Sequence, residues 1–310
     1  MLAFRDKLKN IYAENDLYIL PVIKYAVALF TFISINQILG YMEPLNNMIL
    51  VLVLSAFCAI FPWNTIPLIG VIMVILHCFG LGLEVGACAA VLYLILLIFY
   101  FRFVPGDGLA LTLTTATCGA GFPGIVPIGL GLMRGPVSAL TAVCSTIAWV
   151  FITVVKEVAV PMKFASDSSM LDVVRAVIEG MLNNKMLLVN VVTCAAVVLI
   201  VSLIRSSGIS WSWEIAIVVG AIAQIGLTLA LGNILEQKPD MVSLLAGTGV
   251  AALISFILAF FVYNVDYKGA EHYQFEDDEF VYYVKAIPKN RSSVADPAEK
   301  AYTEEEEYEE

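Results

Sequence analysis

Charge is scarce in this chain. Of its 310 residues only 14% are Asp, Glu, Lys or Arg, while 60% are hydrophobic. Soluble domains carry about a quarter charged residues, so this composition excludes one and fits a polytopic membrane protein. Histidine is scarcer still: His77 and His272 are the whole complement. HExxH, GxSxG and paired intramembrane aspartates are missing, and with them the usual means of hydrolytic chemistry; an enzyme is not expected. No nucleotide-binding loop occurs, so any ATP-driven process needs a separate ATPase. The six cysteines (Cys58, Cys78, Cys88, Cys118, Cys144, Cys194) lie in apolar segments without CxxC spacing or a histidine partner. They read as packing residues, and no metal or other cofactor is implied.

The net charge of −10 sits almost wholly at one end, because residues 271–310 hold 13 acidic and 4 basic side chains. That tail therefore says nothing about a solute. Residues 1–16 are basic and amphipathic, and the apolar run after them lacks a small-residue cleavage site, which argues for a retained first helix. Arg5, Lys7 and Lys9 place the N-terminus in the cytoplasm, so the chain is expected to be multi-pass in the cell membrane.

Apolar runs at 19–40, 44–60, 65–81, 85–103, 137–155, 186–204, 214–234 and 241–263 read as spanning helices. Lys24 sits near enough to a helix end to snorkel. Phe61-Pro62-Trp63-Asn64 reads as a tight interfacial turn. Three polar groups stand inside this apolar set. His77 is a candidate proton relay or a hydrogen-bonded structural histidine, and Gln224 lies mid-span. Glu84 opens a helix, where the dipole favours a carboxylate. Residues 156–185 form a polar connection containing an amphipathic helix, with Leu171, Val174, Ile178 and Leu182 on one face and Asp172, Glu179 and Asn183 opposite. Gly247-Thr248-Gly249 and Ala251-Ala252 permit close helix approach.

Residues 109–136, LALTLTTATCGAGFPGIVPIGLGLMRGP, are built differently. Thr112, Thr114, Thr115, Thr117 and Cys118 fill the first half with hydroxyls and a thiol. Gly119, Gly121, Pro123, Gly124 and Pro127 then interrupt it, since proline lacks the N–H and clashes with the preceding turn. In hydrocarbon such a break survives only inside protein or beside a polar cavity. The stretch is read as a broken, re-entrant hairpin. Its arms of 13 and 9 residues reach only ~20 Å and ~14 Å against a ~30 Å core. Thr112, Thr115, Cys118, Gly119, Gly121, Pro123, Gly124 and Pro127 are the candidate substrate-binding positions, with Thr115 and Cys118 expected to face water or solute.

The fold expected is all-α: eight transmembrane helices plus the hairpin, with a short cytoplasmic tail. The alternative is nine spans. Leaving out Lys24 and the tail, nine spans put 9 basic residues inside and 2 outside, whereas eight put 6 inside and 5 outside, so loop charge favours nine. The domains expected are 1–16, the cytoplasmic N-terminus; 17–264, the membrane domain; 265–287, an aromatic and acidic segment with a strand near Phe280–Val284; and 288–310, a disordered acidic tail.

Two runs, RSSGISWSWEIAI at 205–217 and FEDDEFVYYVK at 275–285, resemble a family of uncharacterised polytopic membrane proteins of clostridia-like bacteria, loosely labelled transporter permeases. The resemblance covers most of the chain and implies a cytoplasmic loop near Arg205 and a cytoplasmic tail. The acidic terminus departs from the family, and 156–185 carry no EAA-glycine coupling motif. It brings no established functional residues. The function expected is a transporter or permease subunit for a small solute; the alternative is a scaffold that recruits partners through its tail. The expected surroundings are the lipid bilayer and a separate ATPase or envelope-assembly partner, without nucleic acid.

Overall fold

The structure is a computed structural model that describes residues 15–104, 106–161, 170–207, 211–262, 271–276 and 281–286. Most of residues 1–16 and all of the 288–310 tail lie outside the described residues. The chain divides into two compact units, 16–259 and a second comprising 1–15 with 260–310. In the second, strands β1 (Glu271–Glu276) and β2 (Val281–Ala286) pair antiparallel, with Glu271 opposite Ala286 and Glu276 opposite Val281.

The larger unit is all-helical. Its helices are α1 (Asp16–Ile38), α2 (Met48–Ile60), α3 (Thr65–Leu81), α4 (Leu83–Phe103), α5 (Leu109–Gly119), α6 (Ile125–Met133), α7 (Ala139–Val154), α8 (Met170–Leu182), α9 (Lys185–Arg205), α10 (Ser212–Ile234) and α11 (Met241–Val262). Among the described residues six helical stretches are long and apolar enough to cross a membrane: those of α1, α4, α7, α9, α10 and α11. Helices α2, α3 and α5 are apolar but shorter. At 1.5 Å per residue the 13 residues of α2 reach ~20 Å and the 17 of α3 reach ~26 Å.

The polar pattern is the reverse of a soluble protein's. Val53, Ile60, Val91, Leu94, Ile98, Ile222 and Leu253 are exposed on the outer faces, while Thr31, Ser55, His77, Thr146, Gln224 and Ser255 are buried. An apolar exterior of this kind suits contact with lipid. Phe32, Ile35, Tyr93 and Phe151 anchor one core, in which Tyr93 and Phe151 meet edge to face at 6.2 Å. Ile128, Leu132, Val197, Val201 and Ile217 anchor a second core. Side-chain caps set several helix starts: Asn47 accepts from Ile49 N–H at 3.0 Å, and Asn184 from Leu187 N–H at 3.0 Å. Lys24 donates from Nζ to the Phe61 carbonyl at 3.1 Å and lies over the Trp63 ring, so its ammonium ends at the α2–α3 turn.

Helix α8 docks on the bundle beside the four residues of its expected apolar face. Val173 and Val177 are the buried pair, and Gly180 packs against Val154 and Val158, whereas Leu171, Ile178 and Leu182 are exposed. Its apolar face is wide enough to dock one edge on the bundle and leave the other outside. Arg175 and Glu179 pair at 2.7 Å on the polar side.

Candidate functional site

The break between α5 and α6 is shaped by its own sequence. At the end of α5 the Phe122 N–H donates to Thr117 O at 2.8 Å and the Gly121 N–H to Cys118 O at 3.0 Å. Gly121 has a φ of +88°. Those two bonds and the left-handed residue make a Schellman ending, for which glycine is preferred because it lacks a Cβ. Pro123 follows and prevents the helix from resuming at once. Pro127, the third residue of α6, is tolerated because N–H groups of a first helical turn have no intrahelical partner.

The other end of the same segment is closed by polar contacts. Asp107, buried just before α5, takes Arg134 Nε at 3.0 Å and the Ser138 hydroxyl at 2.5 Å. Arg134 also donates to the Gly106 carbonyl at 2.8 Å. Arg205, whose guanidinium lies over Trp213, donates to the Leu132 carbonyl. The residues entering α5 and those leaving α6 therefore lie side by side.

The tip is held by small residues. A Cβ on Gly247 of α11 would collide with the Gly121 carbonyl, and one on Gly124 would come within 3.2 Å of Ala251 Cβ. Gly249 faces open space, so of the two glycines flanking Thr248 only Gly247 makes the close approach.

Beside this tip lies a cavity of about 160 Å³. Thr114 and Cys118 of α5, Pro123, and Val126 and Pro127 of α6 form one wall. Ser145, Thr146 and Trp149 of α7, Asn190 and Cys194 of α9, and Gln224 and Thr228 of α10 form the rest, with Asp240 and Ser243 at the edge. Asp240 is exposed and caps α11, accepting from the N–H groups of Val242 and Ser243 at 3.3 Å each. Gln224 is only 4% exposed, and its Oε1 has no hydrogen-bond partner among the described residues.

Of the positions expected from sequence, Cys118, Pro123, Pro127 and Gln224 come together on this cavity, with Gly121 and Gly124 shaping its tip. Thr112 and Thr115 are buried but lie elsewhere; Thr112 packs on Gly70 of α3. Gly119 is exposed at the end of α5, beside Ile38. His77 is remote from the cavity. Its Nδ1 accepts the Met42 N–H at 3.2 Å and its Nε2 lies 2.8 Å from Asn36 Oδ1, so the neutral ring donating from Nε2 satisfies both contacts. Glu84 lies in the first turn of α4, beside a separate apolar groove between α4 and α8. Among the described residues no group of three or more His, Cys, Asp or Glu is placed to hold a metal.

Sequence reasoning missed Asp107 and Ser138 at the base, and Trp149 and Asn190 in the wall. An aspartate at the edge of an apolar run, 27 residues before an arginine, is the only local signal for the base. Compared with protein-family models, curated proteins and solved structures, the chain matches none.

Proposed function

We propose that this chain is a membrane transporter or permease subunit for a small solute. In this reading eight helices cross the bilayer, with α5 and α6 entering and returning as a hairpin. The observation that carries it is the pairing of a broken helix with a polar cavity at its tip. Backbone freed at membrane depth is tolerated where it lines such a cavity, and discontinuous helices recur at transporter binding sites.

The contacts of Asp107 with Arg134 and Ser138 support the re-entrant path, because they join the segment's two ends. An even number of crossings returns the chain after α11 to the side on which it began, the cytoplasmic side by the basic N-terminus. The resemblance to permease-labelled proteins points the same way.

Single cysteines at Gly106 and Gly135, in an otherwise cysteine-free chain, test the path. Impermeant thiol reagents are expected to reach both from the cytoplasmic side only; labelling from opposite sides refutes the hairpin. Solute flux into proteoliposomes made with the purified chain tests transport itself.

A further inference from the structure

The cavity's polar groups are unequally used, and this inequality defines what fits there. Thr114 donates to Ala110 O at 2.7 Å, Thr146 and Ser145 to Ala142 O at 2.7 and 3.0 Å, and Thr228 to Gln224 O at 2.7 Å. A hydroxyl has one proton to give and two lone pairs to accept with. These four have spent their protons on their own helices, so acceptor capacity is what remains. Gln224 Oε1 adds a buried carbonyl acceptor without a partner. A buried acceptor left unpaired is costly, so this wall favours a ligand rich in O–H or N–H donors.

Charge is disfavoured in both signs. Among the described residues no Lys, Arg or His lines the cavity, and the one carboxylate, Asp240, is exposed at the edge and occupied in capping α11. An anion would meet these lone pairs with no cationic side chain to offset them, only the partial charge of the α6 N-terminus and the amide N–H groups of Gln224 and Asn190. A cation would meet the first turn of α6, where the helix dipole is positive. Burying either ion unpaired is costly, whereas a neutral ligand avoids that cost. Size sets the last limit: a cavity of about 150 Å³ accepts benzene, so about six non-hydrogen atoms fit in one of about 160 Å³.

Resting on the transport reading above, we infer that the solute is a small uncharged multi-donor molecule, a short polyol or a urea, with Gln224 Oε1 as its principal acceptor. The probes are glycerol and urea, set against ammonium and acetate. In proteoliposomes of the full chain, glycerol or urea is expected to equilibrate faster than in protein-free vesicles. Gln224→Met is expected to slow this about tenfold, the worth of one hydrogen bond in a dry site. Should Gln224→Met fail to fold, Gln224→Asn withdraws the same acceptor by one methylene. In a chain whose only cysteine is Cys118, glycerol or urea is expected to slow modification by a methanethiosulfonate reagent, and the Gln224 variant to lose that protection.

Flux of ammonium or acetate without glycerol or urea overturns the solute class and leaves transport standing. Protection of Cys118 by glycerol or urea without flux overturns transport and leaves the class standing. Absence of both flux and protection overturns the inference.

Discussion

The base and the tip of the α5–α6 segment are both polar and largely buried, yet they use their polar groups in opposite ways. At the base, Asp107 is fully engaged by Arg134 and Ser138, and Arg134 reaches the Gly106 carbonyl as well. At the tip, Gln224 keeps an unpaired oxygen and the threonines give their protons to carbonyls of their own helices. A satisfied buried network makes one arrangement rigid, whereas an unsatisfied one leaves binding capacity in reserve. The base is a closed clasp, and the tip keeps an unused acceptor.

Substitutions can break this contrast. The largest effect is expected at the base. Asp107→Ala leaves the buried Ser138 without its acceptor and Arg134 without its carboxylate; because Arg134 is 54% exposed, the expected loss is held to about 3 kcal/mol. Thermal unfolding in detergent reads it, and an unchanged midpoint refutes the clasp. Gly247→Ala is next, at about 2 kcal/mol, because its methyl meets backbone at Gly121 and cannot be accommodated by a rotamer change. Gly249→Ala, with open space before it, is the matched control and should gain up to about 1 kcal/mol from helix propensity. Equal behaviour of the two glycines would remove the close approach from the account.

His77→Leu should cost about 1.5 kcal/mol by orphaning the Met42 N–H and Asn36, while solute flux stays unchanged. A flux defect in a folded His77→Leu protein would instead make that histidine part of the pathway. The smallest effect has the opposite sign. Gln224→Met removes an unpaired buried acceptor and should raise stability by about 1 kcal/mol while slowing flux, a trade common at binding sites. A stability loss together with unimpaired flux would mark Gln224 as structural.

Much of the break was legible in the chain because its causes are local. Gly121 and Pro123 dictate where α5 must stop, and α5 and α6 fall where the proline and glycine spacing puts them. The far walls of the cavity were not legible, since Trp149 and Asn190 reach it only through tertiary packing of α7 and α9. Nor was the docked edge of α8: Val173 and Val177 are no more apolar than Ile178, and only the presence of Val154 and Val158 selects them. Loop charge favours nine crossings mainly through the four cations of residues 156–185, Lys156, Lys163, Arg175 and Lys185. In the structure Arg175 is paired with Glu179, and the rule is blind to such pairing.

The tie between Arg205 and the Leu132 carbonyl has a consequence for biogenesis. Helices α5 and α6 are too short to partition into lipid as independent crossings, and one of their anchors is made about seventy residues later, at the end of α9. During synthesis the α5–α6 segment therefore lacks that anchor until α9 has emerged. A nascent chain halted before Lys185 should leave Cys118 open to thiol modification and the segment open to quality-control proteases. One extended past Arg205 should resist the proteases and react more slowly at Cys118.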